Sequence, residues 1–92
     1  MPQTTLLAAG NTTATSSNCV ITTAAKLVGM FTASGPIPSD IELTIVQATP
    51  GADIPIGKLT RDIPTVALTS PGTYRVIRPA RTDVTVGVFQ ED

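Results

Sequence analysis

The chain contains no histidine and no tryptophan. The missing histidine removes the commonest general base, the Ser–His and Cys–His nucleophile pairs, and the commonest metal ligand. The single cysteine, Cys19, rules out an internal disulfide and cannot build a Cys/His zinc site. It stands beside Val20 and Ile21 in an apolar run, where it reads as a small buried side chain and not as an activated thiol. Charged residues make up only 14% of the chain and the net charge is −1, so no global field draws it to nucleic acid or to an anionic membrane. No run of eighteen apolar residues marks a transmembrane helix. Met1 to Gly10 lacks a basic start and a long apolar centre, so it does not read as a secretory signal.

Carboxylates are equally sparse. Asp40, Glu42, Asp53, Asp62, Asp83, Glu91 and Asp92 are scattered, and no calcium-loop spacing links them. Gly51 to Thr60 has the look of a phosphate-binding loop but departs from it. Five residues separate Gly51 and Gly57, Leu59 follows Lys58 where a hydroxyl residue belongs, and Pro55 interrupts the run. No metal, cofactor or catalytic residue is expected.

What is present is β-forming. Apolar residues reach 41% of the chain, dominated by Val, Ile, Leu and Ala, and Thr is abundant. β-branched side chains suit a pleated, half-buried surface. Eight prolines and seven glycines, spread along 92 residues, interrupt nearly every helical window. Ile41-Glu42-Leu43-Thr44-Ile45 and Val84-Thr85-Val86-Gly87-Val88 alternate with period two, the mark of half-buried strands. Further strands are expected at Cys19–Thr22, Lys26–Thr32, Val66–Leu68 and Thr73–Arg78, the first two forming a hairpin through Thr23-Ala24-Ala25. Ile54 to Leu59 is an edge strand or a loop, because Pro55 cannot donate to a ladder. Ser70-Pro71-Gly72-Thr73 follows the type II turn recipe.

One domain is expected at this length, with a thin core. The fold class is all-β: a single antiparallel β-sandwich or jelly-roll-like domain of about seven or eight short strands. Residues 19–92 would form the sandwich, and residues 1–18 an extended N-terminal arm or short first strand. Two candidate contact elements stand out. One is the arm around Thr4, Leu6 and Leu7, which either adds a strand to a neighbour or belongs to the domain's own first strand. The other is the arginine group Arg61, Arg75, Arg78 and Arg81, suited to bidentate contacts at an interface. Alternation sends Arg75 and Arg78 to opposite faces of their strand.

Leu7-Ala8-Ala9-Gly10, Thr69-Ser70-Pro71-Gly72-Thr73-Tyr74-Arg75-Val76 and Val84-Thr85-Val86-Gly87-Val88-Phe89 together resemble small virion structural proteins of tailed bacteriophages. The likeness is strongest to capsid decoration, or cement, proteins. It implies a β-sandwich or jelly-roll-like knob, made in the host cytoplasm, that sits on the capsid surface as a homotrimer. There it would bridge neighbouring subunits of the major capsid protein without catalysis. Two other readings share the composition: a tail, neck or fibre-attachment component, and a carbohydrate- or ligand-binding β-module.

Overall fold

The computed structural model describes residues 3–33, 35–81 and 84–91. Nine strands follow one another: β1 (Gln3–Gly10), β2 (Ala14–Thr15), β3 (Cys19–Ile21), β4 (Lys26–Thr32), β5 (Glu42–Ala48), β6 (Asp53–Thr60), β7 (Thr65–Leu68), β8 (Gly72–Arg78) and β9 (Val86–Glu91). They form two antiparallel sheets. The first has the order β1-β9-β4-β7, and the second the order β2-β8-β5-β6, with β3 also pairing with β8. The all-β sandwich expected from the sequence is present, with nine strands among the described residues where about seven or eight are expected; the eight-residue β1 and the two-residue β2 stand at its N-terminal side.

Alternation places the core. Ile41, Leu43 and Ile45 are buried, as are Tyr74 and Val76 on β8 and Val84, Val86 and Val88 at the chain's end. Val28 and Met30 of β4, Leu59 of β6 and Cys19 and Ile21 of β3 complete the packing between the sheets. The molecule is 21 Å through its shortest axis, room for two sheets about 10 Å apart and their outer side chains.

Two sequence expectations change, and one left open is decided. Cys19–Thr22 and Lys26–Thr32 do not form a hairpin. β3 pairs with β8 in the second sheet, and β4 pairs with β9 and β7 in the first, so Thr22–Ala25 crosses between layers. Both segments have apolar residues to bury, and facing each other across the core buries more than lying side by side. Of the two places open to Leu6 and Leu7, the structure takes the domain's own first strand and not an arm. β1 pairs with β9 from Gln3↔Glu91 to Gly10↔Val86, which puts Leu6 in the core at 7% exposure and packs Leu7 against it. The turn at Ser70–Thr73 carries the chain from one sheet to the other. Gly72 there has φ of 155°, far from the roughly 80° of a type II turn.

The side of the sandwich bounded by β1 is closed. Ser16 interrupts the run between β2 and β3, yet its N–H donates to the Val76 carbonyl at 2.9 Å and its hydroxyl accepts the Val76 N–H at 2.9 Å. The next residue, Ser17, turns its N–H to the Leu6 carbonyl at 2.9 Å. One dipeptide thus ties the edge of the second sheet to the edge of the first.

Arg78 closes one end. The alternation that buries Tyr74 and Val76 also sends Arg78 inward, where it is 5% exposed. Its Nε donates to the Thr12 carbonyl at 2.8 Å, and its Nη1 to the Ala8 and Val86 carbonyls at 2.9 and 2.8 Å. The guanidinium lies against Gly10, where an added Cβ would come within 2.9 Å of Nη2. Substituting Arg78 by Met should cost roughly 3 kcal/mol, because the buried Val86 carbonyl and the part-buried Ala8 and Thr12 carbonyls lose their donor. Urea denaturation measures this directly. A loss below about 0.5 kcal/mol, the size of an ordinary surface change, would contradict the assigned role.

Candidate functional site

The residues singled out from the sequence do not come together. Arg78 is inside the fold, so it cannot serve as a contact residue, and Leu6 is core. Arg75 lies on the outer face of the second sheet, with Nε on Asn18 Oδ1 at 2.8 Å and Nη1 on Asp53 Oδ2 at 3.1 Å. Arg81 donates to Asp40 at 3.0 Å and gives its backbone N–H to Asn11. Arg61 is exposed in the turn after β6, 3.7 Å from its neighbour Asp62. Thr4 is exposed on β1 opposite Gln90. Among the described residues, no group of three or more carboxylates and thiols gathers where a metal could bind.

Edges offer little to a partner strand. β6 carries Pro55, Lys58 and a register shift opposite Ile45 and Val46, three devices that blunt an exposed edge. β7 has four residues and follows Pro64, β2 and β3 have two and three, and the pairing of β1 shifts register twice. Contacts made by this domain therefore fall to faces and side chains.

The two outer faces differ in chemistry. On the second sheet Arg75 reaches from β8 across β5 to Asp53 on β6, and Lys58 meets Glu42 at 3.3 Å. Val46 lies between the strands so bridged and is 3% exposed although alternation points it outward. These exposed pairs add little stability, at most about 1 kcal/mol each, but they keep that face wet and charged.

The first sheet presents an almost neutral face. β4 contributes Leu27 and Phe31, β9 contributes Phe89, and β1 contributes Gln3 and Thr5. Among the described residues the one carboxylate there, Glu91, accepts a hydrogen bond from the Gln3 amide at 2.9 Å. Phe31 and Phe89 are half-buried, with ring centroids 6.4 Å apart and planes tilted by 49°. Beside them lies a groove of about 260 Å³ lined by Gln3, Thr5 and the two rings.

The backbone beneath these rings explains them. Val28-Gly29-Met30-Phe31 on β4 and Val86-Gly87-Val88-Phe89 on β9 are two copies of one pattern, paired antiparallel so that Gly29 faces Phe89 and Phe31 faces Gly87. Each phenyl ring lies on the glycine of the opposite strand. A Cβ on Gly87 would collide with the Phe31 ring, and one on Gly29 would fall 2.7 Å from the Phe89 ring. Both valines and the middle residues face the core, while glycine and phenylalanine face out. A four-residue repeat is too short to stand out in the sequence, but Val-Gly-x-Phe occurring twice is the signal that locates this face.

Comparison with known protein families, curated proteins and solved structures returns no match. The arrangement must be read from its own chemistry. It holds no nucleophile–base pair and no convergent charges. It offers an almost neutral surface with two ring edges, a groove beside them and a short polar border.

Replacing Gly87 or Gly29 by Ala should destabilise the fold by about 1–3 kcal/mol, since a ring must leave its seat to make room. Thermal unfolding of both variants checks this, with displaced Phe ring resonances expected in proton spectra. Two variants that melt with the wild type would show that the rings do not rest on the glycines.

Proposed function

We propose that this chain is a non-catalytic structural protein that docks on a protein lattice, and that the lattice is the head of a tailed bacteriophage. The observation that carries the docking reading is the neutral outer face of the first sheet, with Leu27, Phe31 and Phe89 side by side and a charge-laced face opposite. Interfaces are enriched in aromatics and depleted of charge at their centres, and such a face matches that composition. The blunted edges and the small, well-tied fold fit a domain that binds as a rigid body and loses little entropy on doing so. The resemblance to decoration proteins supplies the identity of the lattice: subunits of the major capsid protein, bridged by the docked domain.

The test uses heads of the encoding phage assembled without this protein. Purified chain should bind them and raise the temperature at which they release DNA. Leu27→Glu or Thr5→Lys places a charge on the neutral face at an exposed position. Each should weaken binding by about tenfold or more while the isolated domain melts normally. Equal binding by these variants would remove the face from the proposal. Localisation to tail or neck, with heads unaffected, would replace the decoration reading by that of a tail component.

The groove between Gln3, Thr5 and the two rings favours one second reading, a ligand-binding module for a sugar. The 49° between the two ring planes weakens it, because one pyranose cannot stack on both rings at once. Saturable glycan binding that Phe89→Leu abolishes would decide for it.

A further inference from the structure

We infer that the side of the sandwich bounded by β6 and β7 is a contact between two copies of this chain, related by a twofold axis beside Gly57. The inference is independent of the docking face, which lies on another surface.

The β6–β7 side gapes where the β1 side is closed. The strands diverge from the turn at residues 61–64 and leave a cleft of about 230 Å³ between the sheets. Its floor is made by the core residues Ile45, Leu68 and Tyr74, and its mouth by Ile56 and Gly57. Three of the five large apolar side chains exposed among the described residues, Ile54, Ile56 and Ile63, stand on this one side at 49, 46 and 58% exposure. A chain this small has little apolar surface to leave in water without use.

Gly57 gives the second observation. Neither its backbone nor its surroundings call for glycine. Its φ is not positive, and an added Cβ would meet only Ile45 Cδ1, at 3.9 Å. Glycine here leaves the mouth of the cleft open and lets another chain approach closely. The room is kept although a larger side chain would fit within the single copy.

Charge placement selects a second copy as the occupant and fixes its direction. Asp53 precedes Gly57 by four residues and Arg61 follows it by four. A twofold axis at Gly57 runs the two β6 strands antiparallel and brings Asp53 of each copy level with Arg61 of the other. Ile56 of each copy then lies over the cleft of its mate. Asp53 already accepts from Arg75, and a carboxylate has lone pairs for a second cation. Arg61 is held only by a loose 3.7 Å pair with an exposed neighbour, so it can turn to a new partner. Pro55 and the register shift in β6 keep the backbones from joining into one sheet, so the contact is made by side chains.

Light scattering and sedimentation of the whole chain, from micromolar to millimolar, test this. The wild type should move from monomer to dimer as concentration rises. Gly57→Leu, which fills the cleft from within, should melt at or above the wild-type temperature and associate at least about tenfold more weakly. Ile56→Lys should do the same to association, and Arg61→Glu should weaken it while lessening its dependence on salt. Leu27→Glu, on the aromatic face, should leave the dimer intact. A wild type that stays monomeric throughout, a trimer, or a dimer unmoved by Gly57→Leu and Ile56→Lys would each overturn the inference.

Discussion

A guanidinium buried among carbonyls is the constraint on which this fold turns. Arg78 ends β8 pointing into the sandwich, where a bare positive charge would be costly to hold. It is tolerated because its donors meet oxygen atoms from β1, from the β1–β2 loop and from β9. Thr12 and Ala8 lie 66 and 70 residues before Arg78, and Val86 lies 8 after it. The β1–β9 ladder already aligns two of these segments, and Arg78 locks the loop after β1 onto that pair. The guanidinium fills the space beside Gly10 and helps hold the first strand within the domain. The domain thus uses one charged residue where a larger protein would use more core.

The remaining cohesion comes from aliphatic packing with little aromatic help. Val, Ile and Leu fill the space between the sheets, and Tyr74 is the only ring in it, with its hydroxyl on the Ser70 carbonyl at 2.8 Å. The two phenylalanines are kept outside, each seated on a glycine. That choice strengthens the β4–β9 pairing at the centre of the first sheet and leaves ring surface available to a partner. Stability and exposure are thus obtained from the same residues.

Much of the fold was legible in the sequence because period-two alternation is a strong signal. Ile41, Leu43 and Ile45, and Val84, Val86 and Val88, fall on the buried face as the pattern predicts. Pro55 correctly marks an edge. The partners of each strand were not legible. Adjacent segments such as Cys19–Ile21 and Lys26–Thr32 look like a hairpin, and only the competition for core contact separates them into different sheets. The arginines show the same limit. Alternation put Arg75 and Arg78 on opposite faces, but that one of them faces the core, satisfied by carbonyls, depends on loop ends that no local pattern places. The aromatic face was missed because its signal is a pairing between two distant tetrapeptides and not a periodicity within one.

The pairing of the first strand with the last has a practical consequence. Gln3 and Glu91 are partners in one ladder, so the chain enters and leaves the domain side by side. Their Cα atoms stand about 5 Å apart, as in any antiparallel pair. A body with its entry and exit adjacent can be spliced into an exposed loop of another protein with only a few linking residues. It can also have its old ends joined and new ones opened elsewhere, for instance at the turn around Gly51, without disturbing the order of its sheets.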